Sequence, residues 1–268
     1  MLSAFAKKYD IRQLFGFFAI HAAAIYLASQ ADWSWPWILV GFVAHQLRFF
    51  FYSAFLHRYF SHKSFHTSRA FQFLMGLAVS TLLMRGPNRY VAVHRLHHRA
   101  SDQPEDLHSP RRGFIQSYCG WAFLKSVDEE KIGGINDLKK FPELVFLSKH
   151  YVMPTVLLSI LFYALGGVNL LFWGIFFGVL ATWHLAFWIA WTFHRPGHKN
   201  YEIDDLSRNS LPLSLITMGE GWHNNHHYAM NRATFSTRSG EIDIGYYGLK
   251  LLDSLGLIRL PTLFKSAD

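Results

Sequence analysis

Histidine is the residue most out of proportion in this chain: 16 occur in 268 residues. Eight of them fall in three short groups, HRYFSH at His57–His62, HRLHH at His94–His98 and HNNHH at His223–His227. The last two groups share the spacing HxxHH. On an α-helix, positions i, i+3 and i+4 lie on one face, so each of these groups can present three imidazoles to one side. In the first group the two histidines are five residues apart, roughly 140° around a regular α-helix. His57 and His62 are therefore expected to serve different ions unless the helix unwinds between them. One ion takes about four to six ligands, so eight imidazoles exceed one ion and suit two. Imidazole accepts zinc, copper, iron and nickel alike, and ligand type does not choose among them. A single cysteine excludes both a disulfide framework and a thiolate zinc site.

The elements that must position these groups are apolar. Half the residues are hydrophobic and 17% are aromatic, richer than an ordinary soluble domain. A hydrocarbon core of about 30 Å needs about 20 helical residues to cross. Four stretches approach that length, at about 14–31, 36–55, 151–166 and 169–193. Pro36 suits the first turn of a helix. From Tyr151 to Phe193 no Asp, Glu, Lys or Arg occurs, and Gly166, Gly167 and Asn169 supply a turn between two crossings. The first stretch, behind Lys7, Lys8 and Arg12, also has the make-up of a signal peptide with a site near Ala22–Ala24. The second span following closely favours a membrane crossing. Arg48 is expected to face the bundle or reach an interface. Phe71–Met84 is apolar but short, and reads as a re-entrant or interfacial helix.

The formal charge of +8 raises nucleic acid as a partner, and the placement of the charges argues against it. Three Lys/Arg precede the first span, fourteen lie between Arg58 and Lys149, eight follow His194, and none lies in either short connection. Basic residues collect on the cytoplasmic side of a membrane and attract anionic lipid headgroups. Both termini and all three histidine groups are thus expected to be cytoplasmic. The reading is an all-α integral membrane protein, a single domain over 1–268, with four transmembrane helices and a cytoplasmic histidine-rich helical cap formed by 56–150 and 194–268. Lone histidines in apolar stretches, His21, His45 and His184, are expected to be satisfied packing residues and not ligands.

The three groups, in this order and on this span pattern, resemble the membrane fatty acyl desaturase family, in particular its acyl-CoA Δ9 (stearoyl-CoA-type) branch. SDQPEDLHSP followed by RRGF, SRN at Ser207–Asn209, GEGWHNNHH at Gly219–His227 and the amphipathic EIDIGYYGLKLLDSLGLI also match. The resemblance implies a ninth histidine ligand just after the fourth span, at His194. The implied metal set is His57, His62, His94, His97, His98, His194, His223, His226 and His227. Two departures stand out: Ala190 where many relatives have an Asn holding a metal-bound water, and Tyr118 where many have a His.

By that resemblance the chain carries a di-iron centre that uses O₂ to place a cis double bond, at Δ9, in a saturated acyl chain on CoA or a related carrier. Removing hydrogen from unactivated methylenes lies beyond any protein acid, base or nucleophile, so a metal cofactor must supply the oxidant. Two electrons must come from outside. No haem-binding HPGG, flavin fingerprint or iron–sulfur cysteine cluster occurs in the sequence, which implies a separate ferredoxin or cytochrome b5-like donor docking on the basic face. Arg111, Arg112 and Lys125 are candidates for carrier phosphates. Two other readings use the same histidines: a di-iron hydroxylase of a lipid or carotenoid, and a non-catalytic membrane metal-binding protein.

Overall fold

A computed structural model describes residues 7–125, 132 and 134–261. The described chain is mostly helical, with one two-residue antiparallel pairing of β1 (His66–Thr67) and β2 (Ile258–Arg259). Helix α1 (Ile11–Gln30) starts at Asp10, whose carboxylate accepts from the backbone N–H of Arg12 and Gln13 at 3.1 and 3.3 Å, two donors with no partner inside the helix. Helix α2 (Trp35–Phe50) has Pro36 in its first turn and continues without a break into a π-helical segment, Phe51–Ser61. Arg48 is buried and donates to the Ala44 carbonyl, so it faces the bundle interior.

Helix α3 (Arg69–Ser80), capped by Ser68, ends before the expected Met84. The chain turns there through Leu83 and Arg85, both at positive φ. Met75, Gly76 and Val79 of α3 are buried, and the helix packs on the π-helical segment and on α5. Helix α4 (Gly86–Arg99) carries HRLHH, and α5 (Pro142–Lys149) lies against it.

Helix α6 (Met153–Leu171), a second π-helical segment (Phe172–Phe177) and α7 (Gly178–Thr192) form one 40-residue apolar run. It is broken at Gly166 and Gly167, with φ of −146° and +59°. The second value favours glycine because a Cβ would clash there. Asn169 beside the break accepts from the Asp32 N–H at 2.7 Å, and the Trp173 indole donates to the Asp32 carbonyl at 2.9 Å. The break and the α1–α2 connection therefore meet at one end of the bundle. Close approach of α2 to the second π-helical segment requires Gly41, where a Cβ would lie 2.4 Å from the Trp173 ring.

Among the described residues, three helices are long and apolar enough to cross a membrane: Ile11–Gln30, Trp35–Ser61 and Met153–Thr192. They hold much of their apolar surface outward; on α1, Phe15, Phe18 and Ile25 are more than half exposed and only Ala24 is buried. An outward apolar surface of this extent suits a lipid solvent. The principal core lies elsewhere, where Leu56, Phe60, Met75, Leu82, Val91, Leu144, Phe193 and Leu249 pack together. That core joins the π-helical segment to α3, α4, α5 and the C-terminal helix α9 (Ile244–Ser254), while the short helix α8 (His223–Tyr228) carries HNNHH. Arg58 ties the far end of the chain to this centre. Its fully buried guanidinium donates to both carboxylate oxygens of Asp243 at 3.0 and 2.9 Å and stacks over the Phe235 ring.

Candidate metal centre

All nine histidines singled out in the sequence are brought together, in two adjoining groups. His57, His62, His94, His98 and His226 form one, and His97, His194, His223 and His227 the other; within each, the candidate ligand atoms lie within 4.8 Å of one another. The division differs from the sequence expectation in two ways, each with a physical reason.

His57 and His62 belong to the same group, not to different ions. They sit in the π-helical segment, whose i to i+5 hydrogen bonding brings residues five apart onto the same side. The helix does unwind between them, and that reverses the expectation. Each HxxHH motif, in turn, serves both groups instead of sending three rings to one. The i, i+4 pair His94 and His98 goes to the first group and His97 to the second. In HNNHH the pair His223 and His227 goes to the second group and His226 to the first. Two adjoining centres can accept the pair and the intervening ring separately, which a single centre cannot.

The nitrogens converge through Nε2. Separations are 2.9 Å for His57 and His226, 2.7 Å for His62 and His94, 3.0 Å for His98 and both His94 and His226, and 3.2 Å for His97 with His227 and His194 with His223. Around an ion bonded to imidazole at about 2.1 Å, donors at right angles lie about 3.0 Å apart. The donor set therefore fits a metal.

Carboxylates fix four of the rings from behind. Nδ1 of His57 meets Glu220 at 2.5 Å, His97 meets Asp106 at 2.8 Å, and His194 and His227 meet Asp102 and Asp205 at 2.7 Å each. An Nδ1–H donated to a carboxylate leaves the Nε2 lone pair aimed at the centre. Burial, reinforced by neighbouring imidazoles, holds His62, His94, His98, His223 and His226 well below the usual histidine range. It holds His97 down at about 3 against the pull of Asp106. These rings are neutral at pH 7 and able to ligate. Burial raises the Asp102 carboxyl, but hydrogen bonds from His194, the Leu206 N–H and Ser109 outweigh it and hold the group at about 2. Asp102 thus stays an anion.

These four acids were not singled out in the sequence. Asp102, Asp106 and Glu220 had a usable signal, since each lies within eight residues of an HxxHH motif in a chain with only 18 acidic residues. Asp205 had none; folding alone brings it to His227. The asparagines of HNNHH and SRN acquire a role as well. The Asn209 side-chain oxygen accepts from the backbone N–H of Asn224 and Asn225 at 3.0 and 3.2 Å, and its amide donates to Asn225 at 2.7 Å. Asn225 donates onward to Glu241 and the Phe235 carbonyl, both at 2.9 Å. This buried network satisfies the open first turn of α8 and so sets the direction of His223, His226 and His227.

The lone histidines stay outside both groups. His21 and His184 bond each other at 3.0 Å, Tyr118 donates to His184 Nδ1 at 2.6 Å, and His45 bonds Thr182 at 3.1 Å. Arg112 donates to the backbone carbonyls of Asp106 and Pro104, so it braces the loop holding Asp106.

Two cavities adjoin the site. One of about 40 Å³ touches His57, His94, His97, His194 and His223, with Ala190 in its wall. The other, about 340 Å³, runs between α1 and α7 and is lined by Phe17, Ile20, Trp183 and Phe187. Tyr52, Tyr90, Trp121 and Ala186 line both. An apolar space therefore leads to the histidine groups.

Comparison with known proteins agrees with this geometry. Residues 32–238 match the family described as fatty acid desaturase. The chain is 32% identical over 263 residues to an icosanoyl-CoA 5-desaturase of Limnanthes douglasii, covering 94% of this chain and 73% of the relative. It is 28% identical to an sn-1 stearoyl-lipid 9-desaturase of Anabaena variabilis, covering 94% and 92%. It is 29% identical to the Delta-9 acyl-lipid desaturase 1 of Arabidopsis thaliana, covering 96% and 85%. With more than half its length inside the family match and the histidine groups converged, this chain belongs to the fatty acid desaturase family.

Proposed function

We propose that this desaturase holds two iron ions, one in each histidine group, and places a cis double bond at Δ9 in a saturated acyl chain. The observation that carries the reading is the convergence of nine imidazole nitrogens beside an apolar cavity. His57, His62, His94, His98 and His226 hold one ion; His97, His194, His223 and His227 hold the other. The metal with O₂ supplies an oxidant strong enough to take hydrogen from two adjacent methylenes. The overall balance is O₂, two electrons, two protons and two substrate hydrogens in, and the alkene and two waters out.

The protein supplies placement. The apolar walls of the larger cavity order the chain, and Tyr52 and Tyr90 stand where it passes toward the histidines. Phe17, Trp183 and Phe187 exclude water from that path. The saturated chain arrives on a carrier, CoA or a membrane lipid. The relatives include acyl-CoA and acyl-lipid enzymes and double-bond positions 5 and 9. The Δ9 assignment follows the resemblance of the histidine segments. The family match favours desaturation over hydroxylation and over passive metal holding.

The break at Gly166–Gly167 divides the 40-residue run into two crossings, for four in all. The distribution of Lys and Arg supports cytoplasmic termini and a cytoplasmic metal centre. Expression in a desaturase-deficient host, with mass spectrometry of its fatty acids, tests the activity. A Δ9 monoene that disappears in His226→Ala is the expected result. Hydroxylated chains without a monoene would overturn it.

A further inference from the structure

On one side the larger cavity, about 340 Å³, is walled by α1, through Gln13, Gly16, Phe17, Ala19 and Ile20. Phe15, Phe18 and Ile25 of the same helix face outward, and only Ala24 is buried, so a single helix stands there between the cavity and the lipid. Ala19 lines the cavity and is exposed as well. The cavity therefore reaches the outer surface beside α1. Ala19 lies about 12 Å along the axis from the start of the helix, a depth that belongs to hydrocarbon. A Cβ at Gly16 would meet nothing within 4 Å, so the wall is thin there too.

The seam between α1 and α7 is held by rings and by one polar chain. Phe17 stacks on Trp183 with centroids 5.6 Å apart and meets the Phe187 ring at 6.4 Å. Beside these rings, three polar side chains run from α1 to α7 and on to the short helix Phe114–Tyr118. A carbonyl only accepts, so His21 Nδ1 carries its proton and donates to Phe17 at 2.7 Å. Neutral His21 then accepts at Nε2 from His184 Nε2–H at 3.0 Å, and His184 Nδ1 accepts from the Tyr118 hydroxyl at 2.6 Å. Lipid tails can replace the ring contacts with little loss, because they are as apolar as the rings; they cannot replace the hydrogen bonds. The polar chain is thus what keeps the seam shut. His21 follows Ile20 and His184 follows Trp183, both in the cavity wall, so parting the two imidazoles opens that wall.

Resting on the desaturase reading, we propose that the α1–α7 seam is a side door through which an acyl chain still attached to a membrane lipid swings into the larger cavity, with Tyr118, His184 and His21 as its latch. A chain entering here stays in hydrocarbon throughout, whereas end-first entry from the aqueous side would bare its methylenes to water. Its ester then lies at the polar end of the cavity, where Gln13, Arg85, Arg89 and Tyr151 stand in the wall beside the first turn of α1. The substrate class is a glycerolipid acyl group, and a CoA thioester is the alternative the test separates.

The test uses the full iron-loaded chain in phosphatidylcholine vesicles without O₂. The probe is a phosphatidylcholine with a diazirine near the middle of one saturated acyl chain. Light should attach it to Phe17, Ile20, Trp183 or Phe187, read by mass spectrometry of the peptides. In a Cys119→Ser background, His21→Cys and His184→Cys joined by a short bifunctional methanethiosulfonate should label about tenfold less, and a thiol reductant that cuts the link should restore labelling. Tyr118→Phe, which removes the latch donor without any cross-link, should label about threefold faster than the parent. Labelling of the linked enzyme equal to that of the unlinked one would overturn the proposal. So would Tyr118→Phe labelling no faster than the parent, or a diazirine acyl-CoA that reaches these residues when the lipid does not. Monoene formed from the lipid at equal rates by linked and unlinked enzyme, given O₂ and reduced ferredoxin, would overturn the side door and leave the desaturase reading in place. Probe that enters through the seam of an enzyme forming no monoene would sink the desaturase reading and leave the side door standing.

Discussion

The two histidine groups lie side by side and are built differently. In the four-histidine group, three rings are fixed from behind by carboxylates: His97 by Asp106, His194 by Asp102 and His227 by Asp205. In the five-histidine group, among the described residues, only His57 has such a partner, Glu220. Nδ1 of His98 and of His226 is buried without a hydrogen-bond partner among the described residues. The first design aims its ligands by electrostatics, with anions brought in by loops. The second relies on backbone register and ring packing: His226 lies against Phe235 with centroids 4.3 Å apart, and Tyr90 stacks on His94 at 5.6 Å. Three nearby anions against one should also make the four-histidine group the more hospitable to positive charge.

The largest effects should come from removing one ligand of each group. His226→Ala and His223→Ala are both expected to lower alkene formation more than about 100-fold, by emptying one centre that the other cannot replace. Metal analysis of the purified variants checks whether one ion or both are lost. Almost as large should be the effect of moving a ligand by one residue. Ser61→His combined with His62→Ser would suit an α-helical i, i+4 pair, but in the π-helical register it places the ring off the centre. Metal content no higher than that of His62→Ser alone is expected; a recovered second ion would show that the segment can relax to an α-helix.

Carboxylate variants sharpen the comparison further. Asp102→Asn, Asp106→Asn and Asp205→Asn should each weaken metal retention or activity about 10–100-fold, with the loss confined to the four-histidine group. Glu220→Gln should act on the other. Competitive chelation followed by iron titration and Mössbauer spectroscopy separates the two. A smaller effect is expected at Asn209→Ala, which leaves buried N–H groups of α8 unpaired and should cost about 1–3 kcal/mol, measured as a lower melting temperature in detergent. The smallest effect on metal content belongs to His184→Phe. Its partners are His21 and Tyr118, so bound metal should stay within about twofold of the parent.

Much of this molecule was legible from residue types and spacing. The eight clustered histidines, the apolar stretches and the break at Gly166–Gly167 each have local causes: ligand chemistry, hydrocarbon thickness and the freedom of glycine at positive φ, whereas His194 was indicated only by the family resemblance. A charged residue such as Arg48 inside an apolar stretch can be assigned inward because a lipid-facing guanidinium is costly. The satisfied state of His21, His45 and His184 follows from the same reasoning about lone polar groups.

What only the tertiary structure decided is how those pieces divide. The π-helical register at Phe51–Ser61 puts His57 and His62 in one group, and nothing in HRYFSH announces it; the segment is buried along most of its length, so its winding is met by packing partners distant in sequence. The assignment of each HxxHH motif to two centres depends on how α4 and α8 face each other. The pairing of Asp205 with His227 and of Arg58 with Asp243 joins residues 22 and 185 positions apart. Spacing rules reach one or two helical turns; contacts across such separations are chosen by packing and by the need of every buried charge for a partner.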